Sequence, residues 1–397
     1  MPRRPAGRSR SRAKAPAVPK PAAPRSGAVG SLGLGRRGWM LAGVVGVVVV
    51  GLLALIGRLI PESPARLQAE AESAARAGYW PRALRAWRAL NATGAARSAT
   101  HLEEARSCLA LNRAAQAERS LRLAIAADPA DPEPWRVLLE ILRVEDRTLE
   151  AQDLAWEAYA RVPPASRRAP LRALTLALLA ELPDETARLA LRRWVQGDAQ
   201  DVDARVALLQ RIAAQPRGSD PDRDSRLAEL ETLVAEHPDH LGAREALVTA
   251  LADAYEPDRG RAVLDGWPGP ESARDARYWR LRGRWDLEYD HRPDRAVDAF
   301  RKVVAVLPQD LRSWSGLARS LRRTARDAEA RQAAETVGRI REVLDPMTLG
   351  PSLDAAFKHL DDPAALRDLA VLSGRAGLTR LSDAWRAEAR AIADVSR

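Results

Sequence analysis

Residues 132–165 read PEPWRVLLEILRVEDRTLEAQDLAWEAYARVPPA. The stretch before them has the same layout, and four of its residues have counterparts 34 positions later: Ala117 and Ala151, Leu121 and Ala155, Ala124 and Ala158, Pro129 and Pro163. A fixed period of this length indicates a protein built from stacked repeats. Two helices of about 14 residues, with their turns, fill one such period, and alanine at the crossing points lets the two helices pack closely.

The same period returns farther along the chain, where Ala296, Phe300 and Val303 are followed 34 positions later by Ala330, Ala334 and Val337. From about residue 66 onward the sequence is rich in Ala, Leu, Arg and Glu and is interrupted by short Pro/Asp turns. No stretch shows the sustained alternation of apolar and polar residues that is typical of strands. The sequence therefore predicts an all-α body.

This pattern resembles the tetratricopeptide repeat (TPR) family, whose 34-residue unit carries an aromatic residue early, small residues at the helix crossing and a late proline. The clearest units are 98–131, 132–165, 277–310 and 311–344. Less regular units are readable at 168–201, 202–240 and 241 to about 270, with a partial first unit and a degenerate C-terminal unit as caps. The resemblance implies a TPR-like α-solenoid of about seven to eight helix-turn-helix units over residues 66–397. We expect its curvature to be interrupted near 214–225, 256–276 and 345–363.

The first 37 residues differ from the rest in charge and composition. They contain ten basic side chains and no acidic one, so the net charge of +10, from 63 Lys+Arg against 53 Asp+Glu, belongs to this segment alone. The remainder carries 53 charges of each sign, which disfavours a basic nucleic-acid-binding domain. Because the segment is also rich in Pro, Gly and Ser, we predict that residues 1–37 are a disordered basic tail.

A run of 20 uncharged residues, 38–57, follows the tail, and as a helix it would span about 30 Å, the hydrocarbon thickness of a bilayer. We predict a transmembrane helix over 38–60, a linker over 61–65 and the repeat domain over 66–397. Because the basic residues precede the helix, the tail is expected in the cytoplasm and the repeat domain outside it, in the periplasm of a Gram-negative bacterium. A cleaved signal peptide is the competing interpretation.

Other features of these N-terminal segments point to further partners. The small residues Gly38, Ala42 and Gly46 recur every four positions, a spacing that permits close pairing of two membrane helices and so a homodimer. The basic tail suits nucleic acid or anionic lipid, and a membrane tether that acts through its tail is therefore the alternative function. Elsewhere in the chain we expect no nucleic-acid binding.

Catalytic and metal chemistry finds little support in the sequence. The five histidines are scattered, and the single cysteine, Cys108, falls at a core position of a first helix. His237 and His240 flank a Pro-Asp pair, but this segment coincides with a turn between repeats, and a polar turn is its ordinary explanation. We therefore expect neither an enzyme nor a metal or other cofactor.

The resemblance implies a peptide-binding concave face, formed by set positions of each first helix. Those positions hold aromatic residues in unit 277–310, arginines in unit 311–344 and further arginines in unit 132–165: Tyr278, Trp285, Tyr289, Arg312, Arg319, Arg322, Arg323, Arg136 and Arg143. Aromatic side chains supply rigid contact area, and arginine binds carboxylates with two hydrogen bonds. An alternative stays open, in which Trp285 and the tyrosines belong to the core between repeats, because Arg280 stands where the family has an aromatic residue.

The leading prediction is thus a single-pass membrane-anchored scaffold that binds protein or peptide partners on the extracytoplasmic side of the membrane.

Overall fold

The computed structural model describes residues 63–180, 184–213, 223–269 and 275–395. The predicted tail, the predicted membrane helix and the face formed by Gly38, Ala42 and Gly46 lie outside these residues. Contacts divide the chain into two units, Met1–Glu62 and Ser63–Arg397, and the second unit contains all the described residues. Within them, no helix is both long enough and apolar enough to cross a membrane.

The described residues form helices and no strand, as the sequence predicts. The α-helices, in chain order, are α1 (Pro64–Arg76), α2 (Trp80–Ala92), α3 (Ser98–Ala110), α4 (Ala114–Ala127), α5 (Pro132–Val144), α6 (Thr148–Arg161), α7 (Arg168–Leu179), α8 (Asp184–Gly197), α9 (Val202–Ala213), α10 (Arg223–Glu236), α11 (Leu241–Asp253), α12 (Pro257–Asp265), α13 (Ala276–Glu288), α14 (Pro293–Val306), α15 (Leu311–Arg323), α16 (Asp327–Val343), α17 (Pro346–Phe357), α18 (Pro363–Arg375) and α19 (Thr379–Val395). A short 3₁₀ helix, Pro164–Ser166, precedes α7.

Most consecutive helices within the described ranges pack against each other, and the pairs that correspond to the two helices of a repeat are among them: α1–α2, α3–α4, α5–α6, α9–α10, α11–α12, α13–α14, α15–α16 and α18–α19. First helices also stack on first helices, as α13 does on α11 and α15 on α13. The alanines of the 34-residue pattern, such as Ala117, Ala151 and Ala296, are fully buried. The predicted all-α architecture of stacked helix pairs is therefore confirmed for the described residues.

Two local interactions recur at the start of several helices. Asp131, Asp310 and Asp345 are N-caps, and each carboxylate accepts a hydrogen bond from the backbone N–H two residues later. An Asp cap satisfies a helix-terminal N–H that would otherwise have no partner. In addition, the indole N–H of Trp135 donates to the Pro129 carbonyl (3.0 Å), and Trp314 donates to Pro308 in the same way (2.8 Å). These two tryptophans thus tie α5 and α15 to the turns that precede them.

The domain begins slightly earlier than the sequence suggests. Helix α1 starts at Pro64, and the Ser63 side chain accepts a hydrogen bond from the Arg66 backbone N–H (3.4 Å). Residues 64–65 of the predicted linker are therefore helical. A linker is predicted at Pro64, but proline is also favourable in the first turn of a helix, where its missing N–H has no partner to lose.

The predicted unit 168–201 is wrong as a helix pair. Helix α7 stacks on α5 and α6 as a first helix should, but α8 packs against α9 and the C-terminal end of α5. There, Val144 of α5 joins a buried apolar cluster with Leu191 of α8 and Ala204 of α9. The repeat stack consequently breaks after α7, and a second stack begins at α8.

The C-terminal helices return to the break and cover α7. Trp385 of α19 is fully buried, and its indole N–H donates to the Thr175 hydroxyl (3.1 Å). Nearby, the Tyr159 hydroxyl donates to the Glu388 carboxylate (3.2 Å). The last unit was expected only to cap the end of the array, whereas in the structure it packs against the middle. The irregular segment 345–363 contains the extra helix α17, which contributes Leu349 and Leu353 to the same core.

A close approach between the two stacks gives a testable prediction. A Cβ added at Gly197, the last residue of α8, would lie 2.3 Å from the carbonyl oxygen of Asn112 in the α3–α4 turn. Backbone atoms cannot move aside cheaply, so Gly197→Ala should lower the free energy of unfolding by about 1–3 kcal/mol in urea titrations.

The matched control is Gly338→Ala in α16, where an added Cβ meets no atom within 4 Å. There we expect stabilisation of about 0.5–1 kcal/mol, because alanine is the better helix former. Equal effects of the two substitutions would contradict the close approach at Gly197.

Candidate protein-binding surface

Helix α15 presents a row of four arginines on one face. Its N-cap is Asp310, and its apolar residues Leu317 and Leu321 are buried against the neighbouring helices. Arg312, Arg319, Arg322 and Arg323 are all exposed. We call these four residues the α15 arginine row.

The row carries more positive charge than its surroundings neutralise. Arg319 forms an ion pair with Glu288 of α13 (3.1 Å). Arg323 donates instead to the Leu287 carbonyl (2.7 Å), and Arg322 to the carbonyl of Ala318 (3.3 Å). In the part of the chain that the structure describes, the other three arginines of the row have no carboxylate within ion-pair distance. The row is therefore able to bind an anionic group.

The aromatic half of the predicted clamp lies largely in the core. Trp285 is fully buried, and its indole N–H donates to the Pro257 carbonyl (3.1 Å). The prediction that Trp285 faces a ligand is wrong, and the alternative that places it in the core between repeats is confirmed: Gly260 of α12 lies against the indole ring. Tyr289 packs on Trp285 (ring centroids 5.0 Å apart), and Tyr278 packs on Trp267 (5.8 Å), so both tyrosines are half-buried.

Arg136 and Arg143 of α5 are already paired. Arg136 lies 2.7 Å from Glu133, which also pairs with Arg106 of α3 (2.8 Å), and Arg143 lies 2.8 Å from Glu140. The hydrogen bonds from Arg136 and then Arg106 hold the pKa of the Glu133 carboxyl below its usual range, although partial burial opposes them. These positive charges are thus balanced locally, and the structure does not bring them together with the α15 arginine row.

A buried ion network lies where the two stacks meet. Carboxylate oxygens of Glu118, Glu145 and Asp203 lie within 4.8 Å of one another, close enough to share a cation. That cation is the guanidinium of Arg147, whose Nη1 lies 2.6 Å from Glu118, 2.9 Å from Glu145 and 3.5 Å from Asp203. Arg147 also pairs with Glu150 of α6 (2.7 Å). The network therefore joins α4, the α5–α6 turn and α9.

Histidine supports this network from α11. His240 is the N-cap of α11, and its Nδ1 accepts a hydrogen bond from the Ala243 backbone N–H (3.0 Å). Its Nε2 therefore carries the proton and donates to Asp203 (3.1 Å). Burial alone would raise the pKa of Asp203, but this hydrogen bond and the charge of Arg147 outweigh it and lower the pKa. His240 thus acts as a helix cap and an anchor.

Sequence reasoning did not single out Arg147. A signal was present, since the charged residues Glu145, Asp146 and Arg147 directly follow an apolar first helix, but its partners Glu118 and Asp203 come from other repeats. Cys108, in contrast, was predicted correctly as a core residue: it is fully buried, and burial raises the pKa of its thiol. A buried thiol of this kind is inert.

Glu145 gives a prediction for pH dependence. Burial raises its pKa to about 8, although Arg147 opposes the shift. The folded state then binds a proton more tightly than the unfolded state, so the free energy of unfolding should fall as pH rises from about 4.5 to about 8, at about 1.4 kcal/mol per unit of pKa difference. Glu145→Gln keeps an acceptor for Arg147 but does not titrate, so its denaturation profile should be flatter between pH 5 and 9. Parallel profiles of the two proteins would contradict the raised pKa.

No protein-family model matches this sequence, and no curated protein matches it either. Among solved structures, the chain is similar to a tetratricopeptide repeat protein from Parabacteroides merdae (14% identity, 66% of this chain and 99% of that chain, TM-score 0.31). It is also similar to the TPR domain of P58(IPK) (13%, 84% and 99%, 0.29) and to the APC/C hetero-tetramer Cut9–Hcn1 (13%, 85% and 81%, 0.33). At these TM-scores the overall superpositions are loose. The repeat architecture therefore rests on the helix pairs described above.

Proposed function

We propose that this chain is a membrane-anchored scaffold whose helical repeat domain binds a protein or peptide partner through the α15 arginine row. The observation that carries the proposal is the row itself: four exposed arginines on one helix face, of which only Arg319 pairs with a carboxylate among the described residues. The rest of the chain beyond residue 37 is balanced in charge. A local surplus of positive charge, on a domain whose charges otherwise balance, favours a discrete binding surface for an anionic group.

Stacked helix pairs suit this role because they present extended surfaces that many ligands can contact. Arginine is also enriched among the residues that dominate binding energy at protein interfaces. The half-buried Tyr289, on the helix next to α15, adds a rigid aromatic side chain near the row.

In-cell crosslinking followed by mass spectrometry tests the binding surface. A variant of the full chain with Arg312, Arg319, Arg322 and Arg323 changed to Gln should lose one or more crosslinked partners at unchanged protein level. The control changes Arg331 and Arg339 of α16, which are also exposed, to Gln. Loss of the same partners in both variants, or in neither, would rule out the row as the binding surface.

The membrane part of the proposal is supported by the sequence, namely the uncharged run 38–57 behind ten basic residues. It predicts that a protease added to intact spheroplasts cuts the repeat domain, residues 63–397. Protection of the domain in intact spheroplasts, with cleavage after lysis, would instead place it in the cytoplasm.

A further inference from the structure

A second group of arginines lies where α6 and α7 meet the C-terminal helices α17 and α19. We call this group, Arg167, Arg168, Arg172 and Arg380, the seam arginines. Arg380 of α19 lies over the Trp156 ring of α6 (3.9 Å), and Arg167 lies over the Tyr159 ring (5.5 Å). Since Trp156 and Tyr159 contact each other edge to face (5.9 Å), both guanidiniums lie along one aromatic pair.

The other two seam arginines lie on α7, one turn apart. Arg168 donates to the Leu360 carbonyl, which follows α17 (2.6 Å), and Arg172 lies over the Phe357 ring at the end of α17 (5.1 Å). The four arginines therefore span a boundary between segments that lie almost 200 residues apart in sequence, as the separation of 192 between Arg168 and Leu360 shows.

None of the seam arginines has a carboxylate within ion-pair distance in the described ranges. They are held by ring faces and a backbone carbonyl instead, and the Nε atom of Arg167 is buried without a hydrogen-bond partner. A guanidinium that uses its flat face on an aromatic ring keeps its N–H edge for a planar anion. Because the rings already restrict these side chains, binding an anion would cost little further conformational entropy.

We propose that the seam arginines bind an acidic protein segment, with Asp or Glu carboxylates bridging α7 and α19. Arg172 and Arg380 are exposed and form the accessible part of this surface, while Arg167 and Arg168 are half-buried beneath it. The site is separate from the α15 arginine row and does not depend on the proposed function of that row.

The surrounding charges favour an acidic peptide over a polyphosphate chain. Glu157 of α6 pairs with Arg161 (3.0 Å) and Asp383 of α19 pairs with Arg386 (3.0 Å), so both helices that supply the Arg380–Trp156 contact also carry carboxylates. A continuous phosphate backbone would meet these carboxylates and be repelled. Separate Asp and Glu side chains can be placed between them, which satisfies the arginines without that repulsion.

Because the seam joins two distant segments, an occupied site would also hold α19 on α7. A ligand that binds only while α19 is packed on α7, which we call the closed arrangement, stabilises that arrangement by mass action. Acidic peptide should therefore slow amide hydrogen exchange in both segments, 156–172 and 379–386, at the same peptide concentration.

The experiment uses the full chain in neutral detergent, a Glu-rich twelve-residue synthetic peptide and a matched Gln-rich peptide. Hydrogen exchange is the main measurement because it assigns protection to individual segments of the chain. Peptide bound to the basic tail can therefore be distinguished from peptide bound at the seam arginines. We expect protection of both segments with the Glu-rich peptide only. In the variant Arg172→Gln with Arg380→Gln, the concentration needed for half-maximal protection should rise at least tenfold.

The matched control changes Arg192 and Arg193 of α8, which are exposed and make no ring contact in the described structure, to Gln. An equal loss of protection in this control would reduce the effect to general electrostatic attraction and overturn the proposal. So would protection of neither segment at millimolar peptide, or tighter protection by single-stranded DNA or by vesicles containing anionic phospholipid. The α15 arginine row remains unchanged in both variants, so failure here leaves the proposed function open to its own test.

Discussion

Replacing Arg147 with methionine should destabilise the domain by about 3–5 kcal/mol, because it leaves buried carboxylates without their cation. Glu145 has 1% of its side chain exposed, and Glu118 and Asp203 approach the same guanidinium. Methionine has a similar length and no charge, so it separates the loss of the cation from the loss of volume. Urea denaturation followed by circular dichroism measures the change.

Arg136→Met is the control for Arg147→Met, since Arg136 forms an ion pair with Glu133 but has 56% of its side chain exposed. Exposed pairs contribute about 0–1 kcal/mol, so this variant should remain close to the parent. Adding Glu118→Gln to Arg147→Met should restore part of the lost stability, because a carboxylate that has lost its partner Arg147 is then removed. No restoration, together with equal effects of the two methionine variants, would show that the network does not hold the two stacks together.

Replacing Trp385 with alanine should cost about 3–5 kcal/mol, the usual range for a buried tryptophan or phenylalanine. Trp385 is fully buried between α19 and α7, and it belongs to the same apolar core as Leu171 and Leu174. Thermal and urea unfolding measure the loss. Because α19 also packs on α18, this single variant cannot show alone that α19 closes onto α7.

A double-mutant cycle makes that distinction. Trp385→Phe removes the indole N–H donor, and Thr175→Val removes its hydroxyl acceptor, although the two residues lie 210 positions apart. If they are in contact, the two changes should be non-additive by about 0.5–3 kcal/mol. Additive effects would mean that α19 does not pack on α7, and the closed arrangement would then be wrong.

The repeat units could be predicted from the sequence because their determinants are local. The alanines at the helix crossings and the tryptophans at the start of α5 and α15 act within about 34 residues, and a fixed period exposes them. The α15 arginine row could be predicted for the same reason, since the exposed face of α15 follows from its register within its own unit. For Trp285 the sequence left both a ligand-facing and a core position open, because the choice depends on Gly260 and Pro257 of the preceding repeat.

The break after α7 and the closure by α19 were not visible in the repeat pattern. Unit 168–201 has a readable TPR-like spacing, yet α7 packs on α6 and is covered by α19, whereas α8 packs on α9. The sequence of an apolar helix face shows that the face must be buried, but it does not show which helix buries it. In the structure, Trp385 of α19 packs against α7, which the repeat pattern had paired with α8. The seam arginines escaped prediction for the same reason, because the contacts of Arg168, Arg172 and Arg380 exist only once the C-terminal helices have returned.

By itself, the sequence determined the all-α class, the 34-residue unit, the core alanines and the separation of a basic segment from a charge-balanced body. Each of these depends on the period, composition or hydropathy of a short stretch of chain. Only the tertiary structure decided how the stacks meet, through Arg147 and its carboxylates, and where the chain closes, through Trp385 and Thr175. Those contacts join residues that are far apart in sequence, and their partners are chosen by the competition among apolar faces for burial across the whole domain.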